Sequence, residues 1–155
     1  MFASPQLIYL EDNFILATSY LDSGDFNAGN SRMQNHTPGW RPAINSNDQW
    51  ILVDLTQVKV VVKVAVHAPV VESDAYFVTS YTLSSQLFEN DDFDLIDDEN
   101  GLEKLFSGPL GQNMTVENCV GNLPARYMRL HPQTWHNGIE LQWEIWAMVN
   151  SGKFP

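Results

Sequence analysis

The sequence predicts an all-β domain, an antiparallel sandwich or barrel, on three observations. Several runs alternate apolar and polar residues and are rich in β-branched side chains. No window holds a helical period over about ten residues. Between the runs lie long connections rich in Asn, Ser, Gly, Asp and Pro. In such folds the loops gather at the ends of the sandwich, and function usually sits there.

The elements follow in order. Leu21 to Asp48 is a polar connection carrying Pro38 and Pro42. Trp50-Ile51-Leu52-Val53-Asp54-Leu55 is a mostly apolar strand run. Val58 to Val66 follows, with Val60, Val62, Val64 and Val66 expected on one face and Lys59 and Lys63 on the other. His67 to Tyr76, with Pro69, is a loop. Phe77 to Leu83 predicts a strand with Phe77, Thr79, Tyr81 and Leu83 opposed to Val78, Ser80 and Thr82. Asp97 to Leu105 is the nearest approach to a helix, and Gly101 speaks against it. Ala125 to Leu130 sets Arg126, Met128 and Leu130 against Tyr127 and Arg129. The last strand places Ile139, Leu141, Trp143, Ile145 and Ala147 on one face.

The 155 residues suit one domain with one sizeable core, spanning about 7 to 149. Acids number 19 and bases 8, for a net charge of -11. That balance argues against nucleic acid, whose phosphates call for Lys and Arg. It also disfavours bulk attraction to anionic membranes. Eight of the acids lie between Glu89 and Glu103, so much of the charge is one local loop, expected on a hairpin away from the binding end. Cys119 is the only cysteine, which leaves no internal disulfide, and it reads as inert. No stretch has the length and apolarity of a membrane span, and the first residues lack the features of a signal peptide. The chain reads as one domain cut from a longer protein. Asn35-His36-Thr37 and Asn113-Met114-Thr115 are glycosylation sequons if it is secreted.

Five blocks in order carry a family resemblance. They are Ile15-Leu16-Ala17-Thr18-Ser19; Trp40-Arg41-Pro42 with Gln49 to Leu55; Phe77 to Ser85; Pro124 to Pro132; and Trp135, Gly138-Ile139, Leu141 and Glu144. Together they make the chain resemble the discoidin domain, also called the coagulation factor V/VIII type C domain, over about 15 to 147. The resemblance implies an eight-stranded jelly-roll β-sandwich whose spike loops bind phospholipid, carbohydrate or protein. The first spike would be Tyr20 to Ala28, the second near Asn35 to Asn47, the third His67 to Tyr76. Members often tie their ends by a disulfide, but here Met148 stands near the usual terminal cysteine and no early cysteine exists. Ala147 replaces the closing glycine, and Gln142 replaces an arginine.

Structural roles fall to Trp50, Asp54, Arg126, Arg129, Trp135 and Glu144. An Asp54 carboxylate beside a buried run is costly without a partner, and an Arg126 or Arg129 fork suits it. Trp50, Trp135 and Trp143 are expected to pack in or near the core, and Trp40 before Arg41-Pro42 likewise reads as structural, although it is also a candidate for the rim.

No catalytic pattern is present: no His-Glu-x-x-His, no Gly-x-Ser-x-Gly, no Walker loop and no Cys-x-x-Cys. His131 and His136 lack a third nitrogen or sulfur ligand nearby for zinc. The acidic run fails the EF-hand pattern, since Gly101 at position six would put Ile96 at position one. Asp22, Asp25 and Asn27 offer oxygen ligands for a structural calcium, which some lectin-like relatives hold in a comparable loop. No other cofactor is expected.

The candidate ligand-binding residues are Tyr20, Asp22, Asp25, Phe26, Arg32, Trp40, Asn45, His67, Val70, Val71 and Tyr76. Sugars call for an aromatic platform beside polar groups, which Tyr20, Phe26, Trp40 and Tyr76 with their neighbours supply. Phe26, Val70 and Val71 would suit membrane insertion, but Asp22, Asp25, Glu72 and Asp74 would repel anionic headgroups without calcium. Some relatives hold a peptide's basic C-terminal residue with an acid whose matching position here is Asn45. The expected function is therefore a non-catalytic adhesion module for a cell-surface glycan or protein, with phospholipid binding as the alternative.

Overall fold

The computed structural model describes residues 3–8, 14–21, 26–33, 38–70 and 75–150. Eight strands appear: β1 (Ala3–Leu7), β2 (Ile15–Ala17), β3 (Ile51–His67), β4 (Phe77–Gln86), β5 (Asp94–Leu95), β6 (Phe106–Ser107), β7 (Thr115–His136) and β8 (Gln142–Asn150). A 3₁₀ turn spans Ala28–Ser31, and no α-helix occurs among the described residues. The strands pair antiparallel in the order β1-β8-β3-β7-β4-β5, with β2 on β3 and β6 on β4.

Two strands are long enough to serve both layers. Ile51 to Asp54 of β3 pairs with Leu130 to Tyr127 of β7, whereas Lys59 to His67 lies between the first half of β7 and β8. The switch falls on an irregularity between Asp54 and Lys59. Thr56 sits there with φ of 70°, an uncommon conformation for a β-branched residue. Asp54 holds it, accepting a hydrogen bond from the Thr56 amide at 2.8 Å. The same carboxylate takes Arg126 Nε at 3.1 Å. Of the two arginines expected to pair with Asp54, Arg126 does so, near the surface rather than in the core.

The inner face of β8 and of the residues leading into it follows the period-two expectation. Ile139, Leu141, Trp143, Ile145 and Ala147 are all buried in one core cluster. Two other strands depart from it, for one reason. A bulge between Val61 and Lys63 inserts a residue into β3, so Val61, Val64 and Val66 enter the core while Val60 and Val62 are only half-buried. Register shifts around Ser80 do the same in β4: Tyr81 and Leu83 of the expected face enter the core, but Val78 joins them in place of Thr79, and Phe77 is buried outside that cluster. Phe77 instead stacks on His136 at 4.9 Å between ring centroids. In β7, Ala125, Met128 and Leu130 are buried, and Arg126 lies outside.

Asp97 to Leu105 forms a turn, not a helix. Asp97 bridges Glu103, and Asp98 Oδ1 accepts from the amides of Asn100 and Leu102 at 2.8 and 3.0 Å. Gly101 supplies the positive φ of 77° that the turn requires. Trp135 packs half-buried against the core, and Trp50 is half-buried beneath Arg129. Cys119 is exposed.

Candidate functional site: an arginine clamped at the end of the sandwich

Four connections meet beyond the ends of β3, β4 and β8. The segment after β2 is tied to the segment 40–49 by short polar contacts. Thr18 Oγ1 and Ser19 Oγ each donate to Gln49 Oε1 at 2.7 Å. Trp40 Nε1 donates to the Ser19 carbonyl at 2.9 Å. The Trp40 and Leu141 backbones exchange hydrogen bonds of 3.0 and 3.1 Å. That approach needs glycine at 39, where a Cβ would lie 2.5 Å from the Leu141 carbonyl oxygen.

This frame aims Arg41. Its guanidinium lies 4.5 Å from the Phe26 ring centroid and 4.3 Å from that of Tyr76. Both rings hold the cation through their quadrupoles. Arg41 Nε also donates to Glu140 Oε1 at 2.5 Å. Glu140 is fully buried, and its Oε2 has no hydrogen-bond partner among the described residues. Burial pushes the Glu140 carboxyl above the usual carboxylate range, and Arg41 pulls against that. The rim is completed by Asn45, whose Oδ1 accepts from the Ile139 amide at 2.9 Å, and by Asn137, whose Nδ2 donates to the Ala75 carbonyl at 2.8 Å. The outcome is a planar cation held between two aromatic planes and edged by amides. Such a surface can donate to hydroxyl or carboxylate oxygens and stack on an apolar ring face.

The structure gathers some of the expected site residues and separates others. Phe26 and Tyr76 form the clamp, with Asn45 beside it. Tyr20 and Val70 are exposed, at 52% and 48%. Trp40 is not a rim residue, because it is fully buried and anchors the frame. Arg32 is not a rim residue either. It is buried in an ion pair with Glu144 and donates to the Ile8 carbonyl at 2.6 Å. His67 is half-buried, and its Nδ1 shares a 2.7 Å hydrogen bond with Thr115 Oγ1. No described hydrogen bond or ring contact joins it to the clamp. Burial pushes the His67 imidazole below its ordinary value. Asn27 caps the 3₁₀ turn, accepting from the Asn30 amide at 3.2 Å. Asn113 is exposed in a loop with φ of 59°. Asp22, Asp25, Val71 and Asn35, with Glu72 and Asp74, lie outside the described residues. The acidic segment begins after Gln86, at the far end of β4 from Tyr76.

Arg41 and Glu140 were not legible as a functional pair. The signals were the place of Arg41 in the Trp40-Arg41-Pro42 block and its being one of four arginines in an acidic chain. Gly138 is a third missed residue. A Cβ there would stand 2.4 Å from Tyr76 Cδ1 and 3.0 Å from Asn45 Nδ2. Gly138→Ala is therefore expected to displace the Tyr76 ring and weaken ligand capture roughly tenfold, with the melting temperature little changed. Binding isotherms beside thermal melts check this.

Residues 15–145 match the sequence model of the F5/8 type C domain. The chain is 27% identical to neuropilin-2 of Homo sapiens over 136 residues, which is 86% of this chain and 14% of that protein. It superposes on discoidin II of Dictyostelium discoideum with a TM-score of 0.74 and 21% identity, covering 87% of this chain and 55% of that one. It superposes on the family 32 CBM from C. perfringens NanJ, solved in complex with galactose, with a TM-score of 0.69 and 14% identity, covering 92% of this chain and 99% of that one. These structures bear out the jelly-roll sandwich.

Proposed function

The chain belongs to the F5/8 type C, or discoidin, domain family, and on that premise we propose that it is a non-catalytic extracellular recognition module that binds a cell-surface glycan or protein through its spike-end loops. The observation that carries this reading is the Phe26–Arg41–Tyr76 clamp. An aromatic slot already filled by the chain's own cation is unsuited to capturing a basic residue. It suits a ligand rich in acceptor oxygens, which Arg41 and Asn45 can meet while Tyr76 gives a stacking face. The galactose complex of the C. perfringens module supports the glycan branch.

A second reading has its own observation. Leu21, Ile44 and Val70 are exposed, at 38%, 66% and 48%, on the connections around the clamp. These side chains suit shallow insertion into a phospholipid surface, aided by a calcium ion held at Asp22, Asp25 and Asn27. Glycan-array binding and flotation with phosphatidylserine vesicles, each with and without calcium, separate the two. The glycan or protein reading expects saturable array or cell-surface capture and no flotation. Flotation without such capture would replace it with the membrane reading.

A further inference from the structure

One face of the sandwich, away from the clamp, carries a polar pocket. Arg129 and His131 alternate onto this face of β7, opposite Ser84 and Thr82 of β4 in the strand register. Phe93 and Glu103 from the acidic segment line it too, and the open depression they share holds about 350 Å³. The Arg129 guanidinium lies 3.7 Å from the Phe93 ring centroid and 4.2 Å from that of Trp50.

Arg129 stands apart from the other three arginines. Arg32 pairs with Glu144, Arg41 with Glu140 and Arg126 with Asp54. Among the described residues Arg129 has no ion pair, and its buried Nε has no hydrogen-bond acceptor. Glu89, Asp91 and Asp92 line the adjoining groove without pairing with it. A planar fork, held flat by two rings and without an ion pair among the described residues, is prepared for an outside acceptor. Beside it, Ser84 Oγ and His131 Nε2 share a 2.8 Å hydrogen bond. Burial and Arg129 push the His131 imidazole below its ordinary value against the pull of Glu103, which favours the neutral ring that can meet a hydroxyl.

We infer that this pocket is a second binding site, independent of the clamp, for a small hydroxylated carboxylate of the uronic-acid class. The carboxylate engages Arg129, and the ring hydroxyls meet Ser84, His131 and Glu103. The cavity volume suits one sugar unit.

Side-chain Nε–H spectra of the whole domain, titrated with glucuronate, glucose and free glutamate, test it. Glucuronate is expected to shift the Arg129 Nε–H resonance saturably, and glucose is not. Glutamate, which offers the carboxylate without the ring, should bind more weakly. Arg129→Gln should weaken glucuronate binding at least about tenfold, read from the histidine resonances. Tyr76→Ala, at the clamp, should leave it intact. The inference is overturned by no saturable shift, by equal responses to glucose or glutamate, or by undiminished binding in Arg129→Gln. Should Arg129→Gln fail to fold, Ser84→Ala replaces it with the same expected direction. Loss of array binding in Tyr76→Ala with glucuronate binding retained would separate this site from the clamp.

Discussion

Replacing Arg32 with alanine is expected to lower the stability of this domain by about 3–5 kcal/mol at neutral pH, or roughly 6–20 °C in melting temperature. The reason is the company that Arg32 keeps. It is 1% exposed, and its partner Glu144 is 4% exposed. The Glu144 carboxylate also accepts the Met33 amide at 2.8 Å, so it helps fix the backbone beside β8. Removing the guanidinium takes the Arg32 charge from a buried carboxylate and a buried donor from the Ile8 carbonyl, which costs far more than the pair itself contributes. Replacing both residues together, as Arg32→Met with Glu144→Leu, should therefore recover much of the loss. Urea titrations of the single and double variants measure this. A single variant as stable as the parent would contradict the buried pair.

The second large effect is at Arg41. Arg41→Ala is expected to destabilise the domain by about 3 kcal/mol at neutral pH and to abolish ligand capture at the spike end. The stability deficit should shrink with acidity. Burial already raises the Glu140 carboxyl above its ordinary value of 4.5, and removing Arg41 removes the influence that opposes that rise. A raised folded value means that the protonated carboxyl favours folding. That contribution is full below the unfolded value and is lost as pH rises through the folded one. The variant and the parent should thus converge as pH falls toward 4.5. With Glu140→Gln added, the variant should lose this pH dependence. Melts across the acid range check the sign: a deficit that grows as pH falls would contradict the assignment.

Much of the fold was legible because strand periodicity is local. The β8 stripe from Ile139 to Ala147 is buried as its alternation demands. Alternation failed where a bulge changed the phase, at Val62 in β3 and around Ser80 in β4. Nothing in a valine run marks which residue will be the extra one. The Asp54–Arg126 pair was anticipated because a carboxylate beside an apolar run needs a partner. The pairs Arg32–Glu144 and Arg41–Glu140 were not, since each joins residues about a hundred positions apart and exists only once the loops have closed on β8. The same closure explains the misplaced rim residues. Trp40 and Arg32 sit in loop sequences, where exposure is the ordinary expectation. Both are drawn inside by contacts with β8 and its approach: Trp40 to Leu141, and Arg32 to Trp143 and Glu144.

Recognition at the clamp is tested most directly by one comparison: glycan-array and cell-surface capture by the parent domain and by Tyr76→Ala. Removing one ring of the clamp frees Arg41 without touching the core. Capture should fall at least about tenfold, with the melting temperature held within a few degrees. Undiminished capture by a folded Tyr76→Ala domain would place the ligand elsewhere and contradict the clamp as the binding site.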